Sequence, residues 1–304
     1  MSIYTQIKDK FTMPNAYQDW SRYREKVTSL IVDGVEREVV GYEPVKEGLV
    51  KTKMVPVYKE DLSIAILGAG SCSDFDLVEI AQYFDKITLI DVDKKSMTKA
   101  IEWMPEIFKE KITLKEASLT GITDADQERF CEHILKRVSQ YGNGMTKEMY
   151  VRFLLEELSV LEKKLYKDEI KLQEDILPPA GYDVVVCLGV HSQLMSLLSY
   201  MINVLTYNIS SQLFQGQKPS IKMVVTKIKA MNSIVIPVIN SAILKCSKEK
   251  AVFGCEYDEM EPVEGAYQCI IDLVERSLNM TEYHLKWEFN PEQNVVYDML
   301  IQII

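Results

Sequence analysis

The chain has 304 residues, of which 47% are hydrophobic and 26% are charged, a balance typical of globular proteins and not of disordered or fibrous chains. Its formal net charge of −10 argues against binding of extended nucleic acid, which needs clustered Lys and Arg. The longest apolar runs, such as 184–190, are too short to span a bilayer, and the N-terminus lacks the pattern of a secretory signal.

The first 60 residues predict an N-terminal helical segment followed by short extended structure. Tyr17, Trp20 and Tyr23 recur at helical spacing and form one apolar stripe. This stripe has two interpretations. The aromatic side chains pack against the main domain, or they form a lid that covers a substrate.

A glycine turn follows the first strand of the main domain. The apolar run 62–67 predicts a buried strand, Gly68-Ala69-Gly70 ends it, and a helix is expected over 73–84. Glycine at such a strand end allows a sharp turn and the close approach of a ligand, whose negative groups the helix N-terminus attracts. The alternative is an ordinary turn, because a lone Gly-x-Gly is a weak signal.

A second strand over 86–90 ends in Asp91. A carboxylate at this position can accept hydrogen bonds from both hydroxyls of a ribose, so the two features together predict a nucleoside-containing ligand. A helix over 94–104 and a strand over 112–117 continue the alternation, which predicts parallel strands with right-handed crossovers.

The alternation is then interrupted by a helical insertion, predicted at about 123–178. Helices are expected over 124–140 and 146–169. Leucines recur in the second of these at intervals of three and four residues, which gives it one apolar face: Leu154, Leu158, Leu161 and Leu165.

The sheet resumes with the buried strand 182–188. A helix over 191–213, a strand over 221–228 and an apolar, helix-like stretch over 232–247 containing Pro237 are expected next. A helix over 262–280 leads to two strands, 283–289 and 295–304, which form a terminal hairpin.

Together these elements predict an α/β fold, a Rossmann-like, doubly wound, mostly parallel seven-stranded sheet with an antiparallel C-terminal hairpin. The predicted division is an N-terminal segment over 1–60 and a main domain over 61–304.

The cysteines and histidines do not predict a metal site, because they are dispersed along the chain without any C-x-x-C pair. Scattered buried thiols favour a reducing compartment, so the predicted location is cytoplasmic. The six cysteines are Cys72, Cys131, Cys187, Cys246, Cys255 and Cys269.

With these motifs assembled, residues 61–304 resemble the class I S-adenosylmethionine-dependent methyltransferases. Residues 64–70 are similar to the family's glycine motif, Asp91 to its ribose-binding acid, 117–119 to its adenine-contacting segment and 183–190 to its fourth motif. Two positions depart from the family pattern, Ile66 and Ser118, where acidic residues are usual.

The resemblance implies S-adenosyl-L-methionine as cofactor and methyl transfer to an unidentified small-molecule or protein acceptor. It implies the following cofactor-binding residues: Gly68, Ala69, Gly70, Asp91, Val92, Ser118, Leu119, Leu188 and Gly189. The expected substrate contacts are Tyr17, Trp20, Tyr23, His191 and Gln193. His191 is also the candidate general base, against the alternative of a locally hydrogen-bonded residue at a helix start.

Two alternatives remain open at this point. An NAD-dependent oxidoreductase would use the same Gly68, Gly70 and Asp91, although Ser73 stands where the third glycine of the NAD motif is expected. An adenosyl-ligand-binding protein, or an aminopropyl or aminocarboxypropyl transferase, would use the same pocket. The sequence does not predict the oligomeric state.

Overall fold

The computed structural model describes residues 15–35, 39–47, 51–58, 61–258, 263–276 and 279–304. The predictions for residues 1–14, for the predicted domain boundary at 60 and for parts of the helix 262–280 lie outside these ranges. Within the described ranges the strands are β1 (Val39–Glu47), β2 (Lys51–Tyr58), β3 (Ser63–Leu67), β4 (Lys86–Asp91), β5 (Ile112–Glu116), β6 (Tyr182–Leu188), β7 (Ser247–Glu256), β8 (Thr281–Asn290) and β9 (Val295–Ile303).

Seven of these strands form one sheet, in the order β5-β4-β3-β6-β7-β9-β8. The strands from β5 to β7 are parallel, whereas β9 runs antiparallel to both of its neighbours. β1 and β2 form a separate antiparallel hairpin. The predicted fold class, a mostly parallel seven-stranded sheet with a reversed C-terminal hairpin, is confirmed.

Helices cover both faces of the sheet. They are α1 (Ala16–Asp19), α2 (Ser21–Val32), α3 (Leu77–Tyr83), α4 (Lys94–Glu102), α5 (Glu106–Lys109), α6 (Asp124–Tyr141), α7 (Lys147–Glu162), α8 (Glu169–Asp175), α9 (Val190–Gln193), α10 (Ser196–Leu213), α11 (Lys222–Cys246) and α12 (Ala266–Glu275). One core lies between the sheet and α1 to α4, and the other between the sheet and α6 to α12. The four leucines of the predicted insertion are all buried in the second core.

The predicted strand over 221–228 is wrong, because these residues begin the long helix α11. Val224, Ile228, Met231 and Val235 are buried at helical spacing, whereas the adjacent Met223 is 66% exposed. The β-branched composition favoured a strand, but the burial period of the segment is that of a helix.

The missing parallel strand is β7, which the sequence analysis did not identify. Its first residues, Ser247 to Lys250, are polar, and its buried run begins only at Ala251. Pro237 does not end α11, although a proline removes a backbone donor inside a helix.

α11 is also the one helix in the described part of the chain with the length and composition to cross a membrane. It has 25 residues, and 44% of its most apolar window is buried inside the protein. Its apolar positions pack in the second core, and a buried core helix satisfies the same criteria of length and composition.

Candidate functional site

The candidate site lies where the strand order reverses, between β3 and β6. The strands on either side of this point are connected in opposite directions across the sheet, which opens a crevice at their carboxyl ends. The glycine turn ends β3 at this crevice, and Gly189 ends β6 beside it. The motifs that were far apart in sequence therefore meet at one edge of the sheet.

The two glycines of the turn have different surroundings. Both have positive φ angles, +64° at Gly68 and +47° at Gly70. A Cβ on Gly68 would lie 2.4 Å from Cγ2 of Val190, so Gly68 permits close packing of the loop after β6. A Cβ on Gly70 would make only ordinary contacts, 3.9 Å from Gly68 O and 4.0 Å from Asp91 Oδ2, so it would not clash.

Asp91 is the direct neighbour of Gly70 at the end of β4. Its Oδ2 accepts a hydrogen bond from Gly70 N (2.9 Å), and its Oδ1 accepts one from Asp93 N (2.7 Å). These bonds fix the carboxylate at the strand end, and each carboxylate oxygen has the capacity to accept more than one hydrogen bond. The sequence prediction that Gly70 and Asp91 border one site agrees with this geometry.

The segment after β5 lies next to Asp91, since Ala117 N donates to Asp91 O (2.9 Å). Leu119 is buried and Val92 is 40% exposed. Ser118 directs its hydroxyl into its own loop, where Oγ donates to Ile122 O (2.6 Å). Val92 and Leu119 are apolar neighbours of the crevice, whereas the polar contact expected from Ser118 is used locally.

Two further predicted cofactor-binding residues lie on β6 and its end. Leu188 is buried, and Gly189 has a φ of +61° with open space where a Cβ would be. Ala69, between the two glycines, is 3% exposed. The predicted cofactor-binding residues therefore lie at or just after the carboxyl ends of β3, β4, β5 and β6, and their contact with a cofactor stays a prediction.

His191 lies inside the second core, 1% exposed. Its Nε2 is 2.8 Å from Asn240 Oδ1, and Asn240 Nδ2 donates to Asp272 Oδ2 (2.8 Å). Because Asn240 Oδ1 is therefore the acceptor, His191 Nε2 is the donor of this hydrogen bond. This placement favours the local, structural interpretation of His191. Gln193, its predicted neighbour at the substrate, is exposed and bonds Ser196 Oγ (2.9 Å).

Although the cysteines and histidines are dispersed along the chain, the fold brings several thiols close to His191. One ligand-type atom from each of His191, Cys255 and Cys269 lies within 4.8 Å of the others, and all three residues are buried. Cys187 Sγ is 3.9 Å from His191 Nδ1. The sequence analysis expected no such cluster, because β7 and α12 bring together cysteines that are distant in the chain.

Helix α2 is hydrogen-bonded to β7 and to residues 71–76, the segment after the glycine turn that we call the glycine loop. Thr28 Oγ1 accepts a hydrogen bond from Asp76 N (2.7 Å), and Arg24 Nη1 reaches Ser73 O (3.5 Å). Lys250 Nζ, on β7, donates to the carbonyl oxygens at the end of α2, at 2.7 Å from both Leu30 O and Asp33 O. The N-terminal segment is thus part of the structure around the crevice.

Trp20 packs against β8. Its ring stacks on Phe289 (5.7 Å between centroids), meets Trp287 edge to face (4.7 Å), and its Nε1 donates to Phe289 O (3.0 Å). Tyr17 lies further out, with the Arg24 guanidinium 3.8 Å above its ring. These contacts favour the packing interpretation for Trp20.

We expect Trp20→Ala to lower the free energy of unfolding by about 3–5 kcal/mol, the usual effect of removing a buried Trp side chain. Urea unfolding followed by fluorescence would measure the change. A variant of wild-type stability that lost only substrate turnover would contradict this and support the lid.

Tyr23 differs from its two aromatic neighbours because its hydroxyl is buried without a hydrogen-bond partner and is influenced by the charges of two acids. It is 2% exposed and stacks on Trp287 (5.4 Å between centroids), and its hydroxyl has no hydrogen-bond partner. Burial raises the pKa of this phenol well above 10.0, and the charges of Asp74 and Glu256 raise it further. The aromatic stripe therefore brings one phenol to a pair of acids.

Asp74 and Glu256 come from different elements. Asp74 lies in the loop after the glycine turn, and Glu256 is the last residue of β7. Glu256 is 5% exposed, with Oε1 2.7 Å from Ser192 Oγ and Oε2 without a partner. Burial raises the pKa of Asp74 to about 7, the charge of Glu256 adds to this rise, and Arg24 opposes it. Burial likewise raises the pKa of Glu256.

The sequence analysis missed both acids. The predicted helix over 73–84 includes Asp74 in its first turn, but α3 begins at Leu77 and its N-cap is Asp76, which accepts from Val78 N and Glu79 N. Glu256 is the last residue of β7, the strand that the sequence analysis did not identify. An acidic residue at the end of a parallel strand, the pattern that indicated Asp91, would also have indicated Glu256.

Asp74 makes the stability of the protein depend on pH. Its pKa rises from 3.8 in the unfolded chain to about 7, so the folded state binds the proton more tightly. This contribution to stability is complete below about pH 4 and is lost as the pH rises to about 7. Asp74→Asn should therefore be more stable relative to wild type at pH 8 than at pH 5. Thermal unfolding of both proteins across this range is the measurement, and a constant difference would contradict the prediction.

No protein-family model matches the sequence, and no curated protein matches it. The chain is similar in structure to an S-adenosylmethionine-dependent methyltransferase from Aquifex aeolicus (TM-score 0.42, 8% identity, covering 100% of both chains). It is also similar to the N-methyltransferase NodS from Bradyrhizobium japonicum (TM-score 0.30, 13% identity, 80% of this chain and 84% of the other). A third similar structure is a precorrin-6y methyltransferase from Geobacter metallireducens (TM-score 0.33, 10% identity, 80% and 79%).

These scores and identities are low, so the assignment of the fold depends on the sheet itself. Five parallel strands are followed by a hairpin whose last strand, β9, inserts antiparallel between β7 and β8. Helices cover both faces, and the glycine turn and Asp91 lie at the point where the strand order reverses. The chain has the class I S-adenosylmethionine-dependent methyltransferase-like fold.

Proposed function

We propose that this protein is an S-adenosylmethionine-dependent methyltransferase acting on a small-molecule or protein acceptor. The observation that carries the proposal is the hydrogen bond that joins the glycine turn at Gly70 to Asp91, at the reversal point of a sheet that ends in an antiparallel hairpin. A dinucleotide-binding sheet does not require that hairpin, and the third glycine of the NAD motif is replaced by Ser73, which is buried under α2.

The residues present fit the cofactor. Asp91 would accept hydrogen bonds from the ribose hydroxyls, and the backbone of Gly68 to Gly70 would lie along the ligand where side chains are excluded. Val92 and Leu119 offer apolar surface for the adenine. When bound, S-adenosylmethionine supplies a methyl group that is already activated by the sulfonium.

The chain's own contribution to catalysis is mainly alignment and exclusion of water. α2 closes over the glycine loop through Thr28 and Arg24, which limits the conformations of the loop and the access of solvent. Leu188 and Val190 provide the apolar wall on the β6 side.

Isothermal titration calorimetry with S-adenosylhomocysteine and with NAD⁺ tests the proposal. We expect saturable binding of S-adenosylhomocysteine with a stoichiometry of about one, and no binding of NAD⁺ at the same concentrations. Binding of NAD⁺ alone, or of neither ligand, would overturn it.

A second experiment identifies the group that is transferred. S-adenosylmethionine labelled in the methyl group is compared with the same compound labelled in the aminocarboxypropyl arm, with protein extract and metabolite extract as acceptors. Methyl transfer predicts label in products only from the first compound. Label from the second would reassign the protein to aminocarboxypropyl transfer.

A further inference from the structure

A group of sulfur and nitrogen ligands lies in the second core, where α9, β6, β7 and α12 meet. His191, Cys255 and Cys269 each offer one ligand atom, and these atoms lie within 4.8 Å of one another. Cys187 Sγ is 3.9 Å from His191 Nδ1. All four side chains are at most 1% exposed. We call these four residues the thiol–imidazole cluster.

The spacing of these atoms is suited to one metal ion. Zinc lies about 2.3 Å from a cysteine sulfur and about 2.0–2.1 Å from a histidine nitrogen, so the ligand atoms of a tetrahedral site are roughly 3.6–3.8 Å apart. The 3.9 Å between Cys187 Sγ and His191 Nδ1 is close to this value. For the atoms that lie within 4.8 Å, shifts of up to about 1 Å would bring them around one ion. Three cysteines and one histidine are also one of the usual ligand sets of structural zinc.

The histidine is oriented as metal ligands usually are. Its Nε2 donates to Asn240 Oδ1 (2.8 Å), and Asn240 Nδ2 donates to Asp272 Oδ2 (2.8 Å). Arg276 Nε donates to the same carboxylate oxygen (2.9 Å). A metal-bound histidine commonly donates its other ring N–H to such an acceptor, which fixes the ring and the tautomer. This chain of hydrogen bonds engages Nε2 and leaves Nδ1 as the nitrogen for the ion.

Buried cysteines by themselves do not indicate a metal, because they pack as small apolar side chains. The imidazole and the amide among them are the second observation. Asn240 is 0% exposed in an otherwise apolar stretch of α11, and a polar group there is unfavourable unless it has strong partners. His191 Nδ1 is contacted by the Cys187 thiol, which is a weak hydrogen-bond donor. A metal ion would give this nitrogen a strong partner.

The backbone allows the cluster to form. Gly265 precedes α12 with a φ of +74°, and a Cβ there would lie 2.2 Å from His191 O, so the glycine lets α12 approach α9 closely. Cys269 is four residues further along, on the same side of the helix as Gly265. On the sheet, Cys187 pairs with Phe253, which places Cys187 and Cys255 on the same face of adjacent strands.

We propose that the thiol–imidazole cluster binds one Zn²⁺ ion, with Cys187, Cys255, Cys269 and His191 as its ligands. Each thiol loses its proton to solvent as its sulfur binds the ion, the imidazole binds in its neutral form, and no electron is transferred. Four protein ligands leave no position for a substrate, so the site is structural. It would join α9, which follows Gly189 beside the candidate crevice, to β7 and α12. The inference does not depend on the proposed methyltransferase function.

The metal content of the wild-type protein is the first test. Because the ligands are buried and come together only in the folded chain, the ion should bind during folding. The full chain is unfolded with EDTA and a reducing agent, and then refolded with Zn²⁺, with Co²⁺ or without metal. We expect about one zinc ion per chain by mass spectrometry, and with Co²⁺ the sulfur-to-cobalt charge-transfer bands and intense visible bands of tetrahedral thiolate coordination. No retained metal, or the weak bands of octahedral coordination by oxygen, would overturn the proposal.

Alanine variants locate the site. Cys255→Ala and Cys269→Ala should lose the stoichiometric zinc. Cys131→Ala and Cys246→Ala remove equally buried cysteines outside the cluster and should retain it. Asn240→Ala should weaken zinc binding about 10- to 100-fold, the usual effect of removing a partner of a metal-bound histidine.

The melting temperature provides an independent readout. Free Zn²⁺ at about 100 times its dissociation constant should raise the melting temperature of the wild-type protein and of Cys246→Ala by about 5 °C, and that of Cys255→Ala by much less. Equal zinc retention in the cluster variants and the control variants, or equal shifts in melting temperature, would overturn the proposal. The metal content and cobalt spectrum of the wild-type protein decide the question even if a variant does not fold.

Discussion

Asp91→Ala is expected to lower the affinity for S-adenosylhomocysteine about 100-fold. The carboxylate accepts from Gly70 N and would accept from the ribose, and a hydrogen bond to a charged group contributes about 1.5–3 kcal/mol. One to two such bonds amount to roughly 3 kcal/mol, which is about two orders of magnitude in the dissociation constant. Calorimetric titration of the purified variant is the measurement.

Asp93→Ala is the matched control for this prediction. Asp93 lies two residues further along and caps α4, with Oδ1 accepting from Ser96 N (3.1 Å). Its removal should cost about 1 kcal/mol of stability and leave the affinity unchanged. Equal affinities for Asp91→Ala and wild type would remove Asp91 from the site and with it the main support for the proposed cofactor.

Alanine at Gly68 is expected to reduce mainly the stability of the protein, whereas alanine at Gly70 is expected to reduce mainly its affinity for S-adenosylhomocysteine. At Gly68 the new Cβ would meet Val190 Cγ2 at 2.4 Å in a strained backbone conformation. Overpacking of this kind costs about 1–3 kcal/mol and the positive φ about 1–2 kcal/mol more, so Gly68→Ala should unfold at clearly lower urea concentration. At Gly70 only the φ penalty applies, and the main loss should be in affinity, because the methyl group would occupy the space beside Asp91.

The double variant Gly68→Ala/Val190→Ala checks the cause. If the contact with Val190 is responsible, the second change should recover part of the stability lost in Gly68→Ala, while the φ penalty remains. Stability and affinity for S-adenosylhomocysteine are measured on the wild-type protein, on Gly68→Ala, on Val190→Ala and on the double variant. A Gly70→Ala variant that binds S-adenosylhomocysteine as tightly as wild type would show that the space at Gly70 is not used.

The sequence places the glycine turn beside Asp91 because the signals there are local, and the binding of a ligand by these residues stays a prediction. A strand, two glycines with positive φ and an acid at the next strand end are each visible in a few residues, and parallel topology brings them together. Gly68, Gly70 and Asp91 lie as this reasoning requires.

The positions of Tyr23 and Glu256 could not be predicted in the same way. Glu256 ends β7, whose first residues are polar and do not resemble a buried strand, and Tyr23 lies on α2, which contacts a loop 48 residues away. Residues 221–228 were predicted as a strand because their β-branched composition outweighed their burial period. Contacts between distant elements, not local propensity, determine where these two side chains lie.

Lys250 joins the end of α2 to a strand that is synthesised much later. The lysine and Leu30 are 220 residues apart, so α2 leaves the ribosome long before its partner strand exists. Until then the aromatic face of the nascent helix has nothing to cover it, and closing so long a loop is slow. We expect the growing polypeptide to expose this face to chaperones, and α2 to be among the last helices to complete its contacts.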